Sequence, residues 1–121
     1  MQNPYSMEDR RIIVTGAAQG IGRAVTQLAV QMGGRVAAID LNGDGLKTLG
    51  EELGDSVMTF TGSVTDQGQS EAAIEAMTKE WGGCDGLFNN AGIVRAAMIH
   101  KMERETWDQV IEVNLTGVYL T

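Results

Sequence analysis

Residues 11–22 read R-I-I-V-T-G-A-A-Q-G-I-G, from Arg11 to Gly22, and this stretch decides the fold. The apolar run Ile12 to Val14 breaks into a small-residue turn with three glycines, and a helical pattern follows from Ile21 through Met32. Glycine has no Cβ, so the turn can adopt positive φ and lie close to a ligand. The turn ends on a helix N-terminus, whose unpaired N–H groups and dipole favour a phosphate. We therefore expect a strand, a turn and a helix that together accept the pyrophosphate of a dinucleotide.

The glycine spacing departs from the common dinucleotide fingerprint. Gly16, Gly20 and Gly22 form G-x3-G-x-G, preceded by Thr15, whereas the common pattern is G-x-G-x-x-G. The alternative interpretation of this turn by itself is an ordinary tight connection between a strand and a helix.

Composition narrows the class of protein. The chain has 121 residues, 43% of them hydrophobic, and a single proline, which is typical of one α/β domain. A formal net charge of -7 without a basic cluster argues against a nucleic-acid surface. No run approaches the ~18 apolar residues of a membrane span, and residues 1–11 contain no apolar core of signal-peptide length. Cys84 is the only cysteine, so no disulfide or cysteine-based metal cluster is expected. We expect a cytoplasmic protein.

Strand-like and helix-like patterns alternate along the chain. We expect residues 1–10 to be a loose lead-in and residues 11–121 to form the domain. The predicted strands are Arg11 to Thr15, Val36 to Asp40, Val57 to Thr61 and Cys84 to Asn90. The predicted order is β-α-β-α-β-α-β-α, with right-handed crossovers between parallel strands. Apolar spacings predict packed helix faces at Ile21, Val25, Leu28, Ala29 and Met32; Leu46, Leu49 and Leu53; Ala73, Ile74, Met77 and Trp81; and Trp107, Val110, Ile111, Leu115, Val118 and Tyr119.

Asp40 ends the second predicted strand. An acidic residue there, about 20 residues after the glycine turn, can accept hydrogen bonds from the adenosine ribose hydroxyls. Its carboxylate would repel the 2′-phosphate of NADP, and no Arg or Lys stands in Ala17-Ala18-Gln19 or just after Asp40 to neutralise that phosphate. The sequence therefore favours NAD. The alternative is that Asp40 only caps the next turn or helix.

Two further motifs follow the glycine turn at suggestive distances. N-N-A-G occupies Asn89 to Gly92 at the end of the fourth predicted strand, and V-N-L-T-G contains Asn114 within the last predicted helix. With the T-G-x3-G-x-G turn in the same chain, the sequence resembles the short-chain dehydrogenase/reductase family over Arg11 to Thr121. Without the first motif, N-N-A-G would fit a simple Asn-rich turn equally well.

The resemblance implies a Rossmann-type, doubly wound parallel sheet with strand order 3-2-1-4. It also implies NAD-dependent hydride transfer to or from a secondary alcohol or ketone, such as a 3-oxoacyl thioester or a sugar alcohol. The family's catalytic Ser and Tyr-x-x-x-Lys are expected beyond residue 121, so the domain is expected to be truncated at its C-terminal end. A dimer or tetramer is implied for the complete enzyme. The alternative is a non-catalytic dinucleotide-binding or sensing module.

The resemblance also assigns residues to roles. Asn114 matches the family's catalytic asparagine, which holds a water linked to the catalytic lysine; the alternative is that Asn114 faces solvent. Asn89 would support the central sheet. Ser63 stands where the family usually has an acidic residue beside the adenine. The predicted cofactor-binding residues are Gly16, Gln19, Gly20, Ile21, Gly22, Asp40, Leu41, Ser63, Val64, Asn90, Ala91, Gly92 and Val113.

Three remaining residues are interpreted without a role in catalysis. Asp66 precedes an amphipathic run and is expected to be a helix N-cap. His100 lies in a loop beside Lys101 without a carboxylate at fixed spacing, so we expect a surface residue rather than a general base. Cys84 is expected to be a small buried hydrophobic residue.

Overall fold

The computed structural model describes residues 3–121, and its central feature is one four-stranded parallel sheet. The strands are β1 (Arg11–Thr15), β2 (Arg35–Asp40), β3 (Val57–Thr61) and β4 (Gly86–Phe88), in the order β3-β2-β1-β4. Helices α1 (Gly20–Gln31), α2 (Gly43–Leu53) and α3 (Gln67–Trp81) follow the first three strands. The order and the parallel pairing confirm the predicted Rossmann-type sheet.

The chain after β4 is helical in pieces. A 3-10 turn spans Ile99–Lys101, and α4 covers Arg104–Ile111. Another 3-10 turn, at Gly54–Ser56, lies earlier in the chain between α2 and β3. The next five residues, Glu112–Thr116, are π-helical, and α5 covers Gly117–Leu120. The pattern predicted one regular helix here. In a π-helical turn each backbone hydrogen bond spans five residues instead of four, so the turn is wider than an α-helical turn. Such turns are often found at functional sites.

The sheet is packed on both faces, because successive strand residues point in opposite directions. On one face, Val14, Val36 and Ala38 pack with Leu46 and Leu49 of α2. On the other face, the alternate residues pack with α3; this cluster contains Ile13, Ala37, Ile39, Ala73 and Met77. Both faces of β1 and β2 are therefore buried, as expected for the centre of a parallel sheet.

The helices bury the predicted positions to different extents. In α2, Leu46 and Leu49 are buried and Leu53 packs against them, which confirms that prediction. In α1, Ala29 is buried and Val25 packs against the core as predicted, whereas Ile21 and Leu28 are 70% and 55% exposed, so the prediction was wrong for those two residues. The buried residues of α1 are small or of medium size, namely Gly22, Thr26 and Ala29. Close approach of α1 to the sheet selects small side chains at these buried positions, while the larger Val25 and Val30 are partly buried against the same core.

The strand β4 is shorter than predicted, and Cys84 lies outside it. Side-chain oxygens replace main-chain carbonyls at both of its ends. Asp85 Oδ2 accepts the N–H of Arg11 at 2.9 Å, and Thr15 Oγ1 accepts the N–H of Asn90 at 3.0 Å. Cys84 is exposed, so the prediction of a buried residue was wrong. The strand β4 has a neighbour on only one side in this sheet, which leaves Leu87 and Phe88 partly exposed.

The last helical segment leaves its apolar side chains uncovered in this chain. Trp107 and Tyr119 are 51% and 86% exposed, and Leu115 and Val118 are also exposed. The predicted packed face is therefore not packed within residues 3–121. Gly117 makes the close contact instead, since a Cβ there would lie 2.7 Å from Cγ2 of Val64.

The chain before β1 is attached to the domain. The N–H of Met7 donates to the carbonyl oxygen of Met32 at 2.9 Å, and the Met7 side chain packs against the core on the α1 and α2 face. The N–H of Arg35 donates to the carbonyl of Arg10 at 2.9 Å, which extends the contact from β1 to β2. The lead-in was expected to be loose; Met1 and Gln2 lie outside the described residues.

Arg11 and Asp85 form a two-pronged ion pair where β1 begins. Arg11 Nε and Nη2 donate to the two carboxylate oxygens of Asp85 at 2.9 and 3.0 Å, and Arg11 Nη1 donates to the carbonyl of Trp81 at 2.9 Å. The hydrogen bonds from the Arg11 side chain and backbone lower the pKa of Asp85 from 3.8 to about 2. The same contact raises the pKa of Arg11. Arg11 therefore joins the start of β1 to Asp85 before β4 and to Trp81 at the end of α3.

We predict that the Arg11–Asp85 pair makes stability depend on acid pH. A lowered pKa in the folded state gives stability that is present above pH 3.8 and is lost as the pH falls toward about 2. Asp85→Asn should therefore lower the melting temperature at neutral pH, and its difference from the unaltered protein should shrink below pH 3.8. Thermal unfolding followed by circular dichroism across this range measures the difference.

Asp108→Asn serves as the matched control. Asp108 pairs with Arg104 at 3.4 Å on an exposed helix surface, where ion pairs contribute little to stability. We expect almost no change in melting temperature for this variant. A difference for Asp85→Asn that stays constant down to pH 2 would contradict the prediction.

Candidate functional site

A cleft of about 530 Å³ lies at the carboxyl ends of the strands. The strand order reverses between β1 and β4, and in open parallel sheets ligands bind at such a switch point. The volume falls within the roughly 300–1,000 Å³ of ligand pockets. The lining residues are Gly16, Gln19, Gly20, Ile21, Ile39, Asp40, Leu41, Asn42, Gly62, Ser63, Val64, Asn90, Ala91, Gly92, Ile93 and Val113. All predicted cofactor-binding residues except Gly22 are among them.

The glycine turn presents a helix N-terminus to the cleft. Gly16 has a φ of 67° and Gly20 a φ of 57°, backbone conformations that side chains with a Cβ rarely adopt. Gln19 is the N-cap of α1, but its side chain makes no capping hydrogen bond, and the first turn contains no acidic residue. The first N–H groups of α1 have no partner within the helix. They are therefore available to an anion in the cleft.

Gly22 lies behind the turn and sets how closely α1 approaches it. A Cβ on Gly22 would collide with the carbonyl oxygen of Gly16 and would lie 2.6 Å from Nδ2 of Asn90. Gly22 is buried and does not line the cleft. Its contribution is to the shape of the site, through the space that its missing side chain leaves for Gly16 and Asn90.

The Thr15 hydroxyl joins the glycine turn to the N-N-A-G segment. Its oxygen accepts the N–H groups of Asn90 and Ala91, both at 3.0 Å. Asn90 Nδ2 in turn donates to the carbonyl of Gly16 at 3.3 Å. Asn89, which was expected to support the sheet, is exposed, and the contacts to the turn are made by Asn90. The two motifs therefore form one structural unit at the switch point.

Asp40 ties the end of β2 to the glycine turn. Its Oδ2 accepts the N–H of Ala18 at 3.0 Å, and its Oδ1 accepts the N–H of Asn42 at 2.9 Å. The N-cap of α2 is Asn42, whose Oδ1 accepts the N–H of Gly45 at 3.0 Å, so Asp40 caps the turn before α2 through Asn42 but does not cap the helix itself. Each carboxylate oxygen has a second lone pair. Asp40 therefore has capacity left for donors in the cleft.

Ser63 and Val64 follow β3 at the far side of β2. The Oγ of Ser63 accepts the N–H of Thr65 at 3.1 Å and lies 2.6 Å from Oγ1 of Thr65. Val64 lines the cleft with little exposed surface because it packs under Gly117. Asp66 is the N-cap of α3 and accepts the N–H of Gly68 at 3.0 Å, which confirms its predicted role.

Asn114 binds the backbone of the segment that follows N-N-A-G. Its Oδ1 accepts the N–H of Ile93 at 2.8 Å, and its Nδ2 donates to the carbonyl of Ile93 at 2.9 Å. Asn114 lies in the π-helical turn and does not line the cleft, whereas the neighbouring Val113 does. The side chain is exposed yet doubly bonded, so it does not simply point into solvent. Its role in catalysis stays a prediction.

Several residues of the site were not predicted from the sequence. Ile39, Asn42, Gly62 and Ile93 line the cleft, and the Thr15 hydroxyl supports it from below. Each is adjacent in sequence to a predicted residue or motif, and that adjacency is the only signal that could have found them. His100 is exposed in the 3-10 turn, as expected.

Residues 3–121 show two further absences. They contain no group of three or more His, Cys, Asp or Glu side chains placed to hold a metal ion. None of the helices among them combines the length and the apolar character needed to cross a membrane.

Comparison with known proteins finds consistent relatives. The family model for short chain dehydrogenases matches residues 10–121. The 3-oxoacyl-(acyl-carrier-protein) reductase of Thermotoga maritima is 40% identical over 116 residues, covering 93% of this chain and 47% of that protein. D-threitol dehydrogenase of Mycolicibacterium smegmatis is 34% identical over 119 residues, covering 96% of this chain and 46% of that protein.

A solved structure has the same fold. The 3-ketoacyl-(acyl-carrier-protein) reductase of Brucella melitensis, complexed with NADH, matches with a TM-score of 0.89 and 30% identity. The match covers 95% of this chain and 48% of that chain. The chain thus spans about half the length of the relatives that it matches. Because the family model matches residues 10–121, and the glycine turn and the N-N-A-G segment meet at the switch point, this chain belongs to the short chain dehydrogenase family.

Proposed function

We propose that this protein is an NAD(H)-dependent oxidoreductase that transfers a hydride between NAD and a secondary alcohol or ketone. The observation that carries the proposal is the cleft at the switch point, where the N-terminus of α1 and the carboxylate of Asp40 face the same space. The relative from Brucella melitensis was crystallised with NADH, and the relatives named above are reductases and a dehydrogenase.

The lining residues fit the parts of a dinucleotide in order. The turn from Gly16 to Gly20 leaves space and N–H donors for a pyrophosphate. Asp40 offers carboxylate oxygens to ribose hydroxyls at the tip of β2. Ala91 and Gly92 have little or no side chain, so a flat ring can approach their backbone at the tip of β4.

The charges of the cleft favour NAD over NADP. Asp40 is the one charged residue that lines the cleft within residues 3–121, so no Lys or Arg of that part is among the lining residues. A 2′-phosphate at the ribose would meet the Asp40 carboxylate without a cation to offset the repulsion.

The residues of this chain would bind and orient the reactants. When bound, NAD supplies the hydride acceptor and NADH the hydride donor. In the proposed enzyme, Asn114 holds the Ile93 backbone and so positions the loop beside the nicotinamide end of the cleft. We expect the proton to be transferred by a Ser and a Tyr-x-x-x-Lys pair outside residues 1–121, as the family resemblance implies.

Substrate, location and assembly are further parts of the proposal. The names of the relatives give 3-oxoacyl-(acyl-carrier-protein) and D-threitol as their substrates. The candidate substrate classes for this protein are therefore 3-oxoacyl thioesters and sugar alcohols. The single free thiol of Cys84 is compatible with a reducing compartment such as the cytoplasm. The exposed Trp107, Leu115 and Tyr119 favour association into a dimer or tetramer.

We predict that the complete enzyme, with the expected Ser and Tyr-x-x-x-Lys pair, binds NADH and either oxidises it with a ketone substrate or reduces NAD with a secondary alcohol. Binding should enhance and shift the nicotinamide fluorescence, because a cleft of this kind shields the ring from water. NADH absorbance should fall when a 3-oxoacyl thioester is added together with NADH, or rise when a sugar alcohol is added together with NAD. NADH binding without turnover on a broad panel would favour the binding or sensing module, and the absence of NADH binding would remove the proposal.

We predict that Asp40 sets the preference for NAD. Asp40→Ala should weaken NAD binding by about tenfold or more, since charge-assisted hydrogen bonds to the ribose are lost. The affinity for NADP should fall less, or rise, because the repulsion is removed. The ratio of the two dissociation constants, measured by fluorescence of the reduced forms, isolates this effect from a general loosening of the Ala18 and Asn42 contacts.

Asp44→Ala is the control for the loss of one negative charge. Asp44 lies in the first turn of α2 and does not line the cleft. The NAD to NADP ratio should stay unchanged in this variant. An unchanged ratio in Asp40→Ala would show that Asp40 has no part in cofactor choice.

We predict that Gly22→Ala damages the site through sterics. The added Cβ would collide with the carbonyl oxygen of Gly16. Overpacking of this kind lowers the free energy of unfolding by about 1–3 kcal/mol. The melting temperature should fall, and NADH affinity should fall with it because the turn is displaced.

The control is Gly50→Ala in α2, where the nearest atom to an added Cβ is 3.6 Å away. This control should stabilise the helix by up to about 1 kcal/mol. Full NADH affinity in Gly22→Ala would count against the role of the turn.

A further inference from the structure

The segment that follows β3 forms the end of the cleft beyond Asp40. β3 lies on the side of β2 away from β1, and the N–H of Gly62 donates to the carbonyl of Asp40 at 2.9 Å. A dinucleotide with its pyrophosphate at α1 and a ribose at Asp40 therefore has the adjoining base over the tips of β2 and β3. Leu41, Gly62, Ser63 and Val64 line the cleft there.

Ser63 is the polar side chain that β3 brings to this end. Its Oγ accepts the N–H of Thr65 at 3.1 Å, and it lies 2.6 Å from Oγ1 of Thr65. Either of the two hydroxyls can be the donor of that shorter hydrogen bond. The pair thus holds two hydroxyl hydrogens, of which only one is used between Ser63 and Thr65.

The direction of that hydrogen bond decides what Ser63 offers to a ligand. If Ser63 donates to Thr65, the Ser63 oxygen keeps one lone pair that can accept from an amino group. If Thr65 donates to Ser63, both lone pairs of Ser63 are used and its O–H can donate to a carbonyl oxygen. Both directions give the same number of hydrogen bonds between Ser63 and Thr65, so the pair itself favours neither direction.

The nearby carboxylate does not impose a preference. Asp40 accepts the N–H groups of Ala18 and Asn42 and faces the ribose position, and it is the one charged residue of the cleft in the described part of the chain. The carbonyl oxygen of the Asn42 side chain is engaged by the N–H of Gly45. Among the residues that line the cleft beyond Asp40, Ser63 is the one with a side-chain hydroxyl, which can both donate and accept a hydrogen bond.

We propose that Ser63 makes the base end of the cleft permissive, so that it takes a dinucleotide with a 6-amino purine or a 6-oxo purine about equally well. This inference rests on the proposed dinucleotide site and names a property of its base subsite. A carboxylate at position 63 could only accept hydrogen bonds and would repel a 6-oxo group. The hydroxyl pair of Ser63 and Thr65 can match either edge.

The test compares NADH with its deaminated form, reduced nicotinamide hypoxanthine dinucleotide, on the purified protein. Both reduced dinucleotides are fluorescent, so the two dissociation constants are measured by the same kind of fluorescence titration. We expect them to agree within about threefold, which is less than the value of one hydrogen bond to the base. A preference of tenfold or more for either dinucleotide would overturn the inference while leaving the dinucleotide site intact. Failure of both to bind would overturn the inference together with the proposed function.

Two variants at Ser63 extend the test. Ser63→Asp should create a preference for NADH of about tenfold, because an acceptor-only group faces the 6-oxo edge. Ser63→Ala removes both donor and acceptor and should weaken the two dinucleotides by the same small factor. If Ser63→Asp folds and the ratio stays at one, Ser63 does not face the base and the inference is wrong. If Ser63→Asp does not fold, an unequal effect of Ser63→Ala on the two dinucleotides contradicts it.

The control makes the same hydroxyl-to-carboxylate change away from the cleft. Thr48 is exposed on α2, donates to the carbonyl of Asp44 at 3.1 Å and does not line the cleft. Thr48→Asp should leave the ratio of the two dissociation constants as it is in the unaltered protein. A shift in this variant equal to that in Ser63→Asp would assign the effect to net charge and overturn the role of Ser63.

Discussion

The structure of this site depends on one hydroxyl group that accepts two hydrogen bonds. Thr15 is 1% exposed, and its Oγ1 accepts the N–H groups of Asn90 and Ala91, which lie 75 and 76 residues further along the chain. A valine would fill the same space but would leave two N–H groups without an acceptor, and buried donors without partners are costly. The hydroxyl thus fixes where the chain leaves β4 relative to the glycine turn. The approach of Asn90 to Gly16 and Gly22 follows from that position.

Further polar contacts extend this unit in both directions. Asp40 holds the turn from the β2 side through the N–H of Ala18, and Asn114 holds the β4 side through both backbone groups of Ile93. All of these bonds end on backbone groups, so they determine the path of the main chain and leave the cleft itself open. A dinucleotide is recognised largely by backbone N–H groups and small residues. Rigid main-chain geometry is what such recognition needs.

The strands of the sheet differ in how completely other side chains cover them. β1 and β2 are buried on both faces by clusters that contain residues of α2 and α3. β4 and the segment from Trp107 to Tyr119 keep apolar side chains exposed in this chain. Parallel sheets are normally covered on both faces, and large exposed apolar surfaces mark contact sites. The cleft is therefore lined by residues of this chain, while β4 and the last helical segment keep apolar surface exposed in the described residues.

Local order along the chain was largely predictable. The bounds of β1 and β3, the strand order, the caps at Asp66 and the buried leucines of α2 follow from apolar spacing, glycine positions and the family resemblance. The predictions were wrong where exposure depends on neighbours distant in sequence. Ile21 is exposed where it lines the cleft, and Leu28 is exposed on a helix whose fully buried positions hold small residues. Cys84 is exposed because β4 begins after it.

The sequence by itself determined a strand, glycine turn and helix with a dinucleotide-type cleft, because these depend on backbone freedom and on periodicity within a few residues. Only the tertiary structure decided which polar groups meet. The contacts of Thr15 with Asn90, of Asp40 with Ala18 and of Asn114 with Ile93 join residues that are far apart in the chain. Their partners are selected by packing of the whole sheet, and no local pattern specifies them.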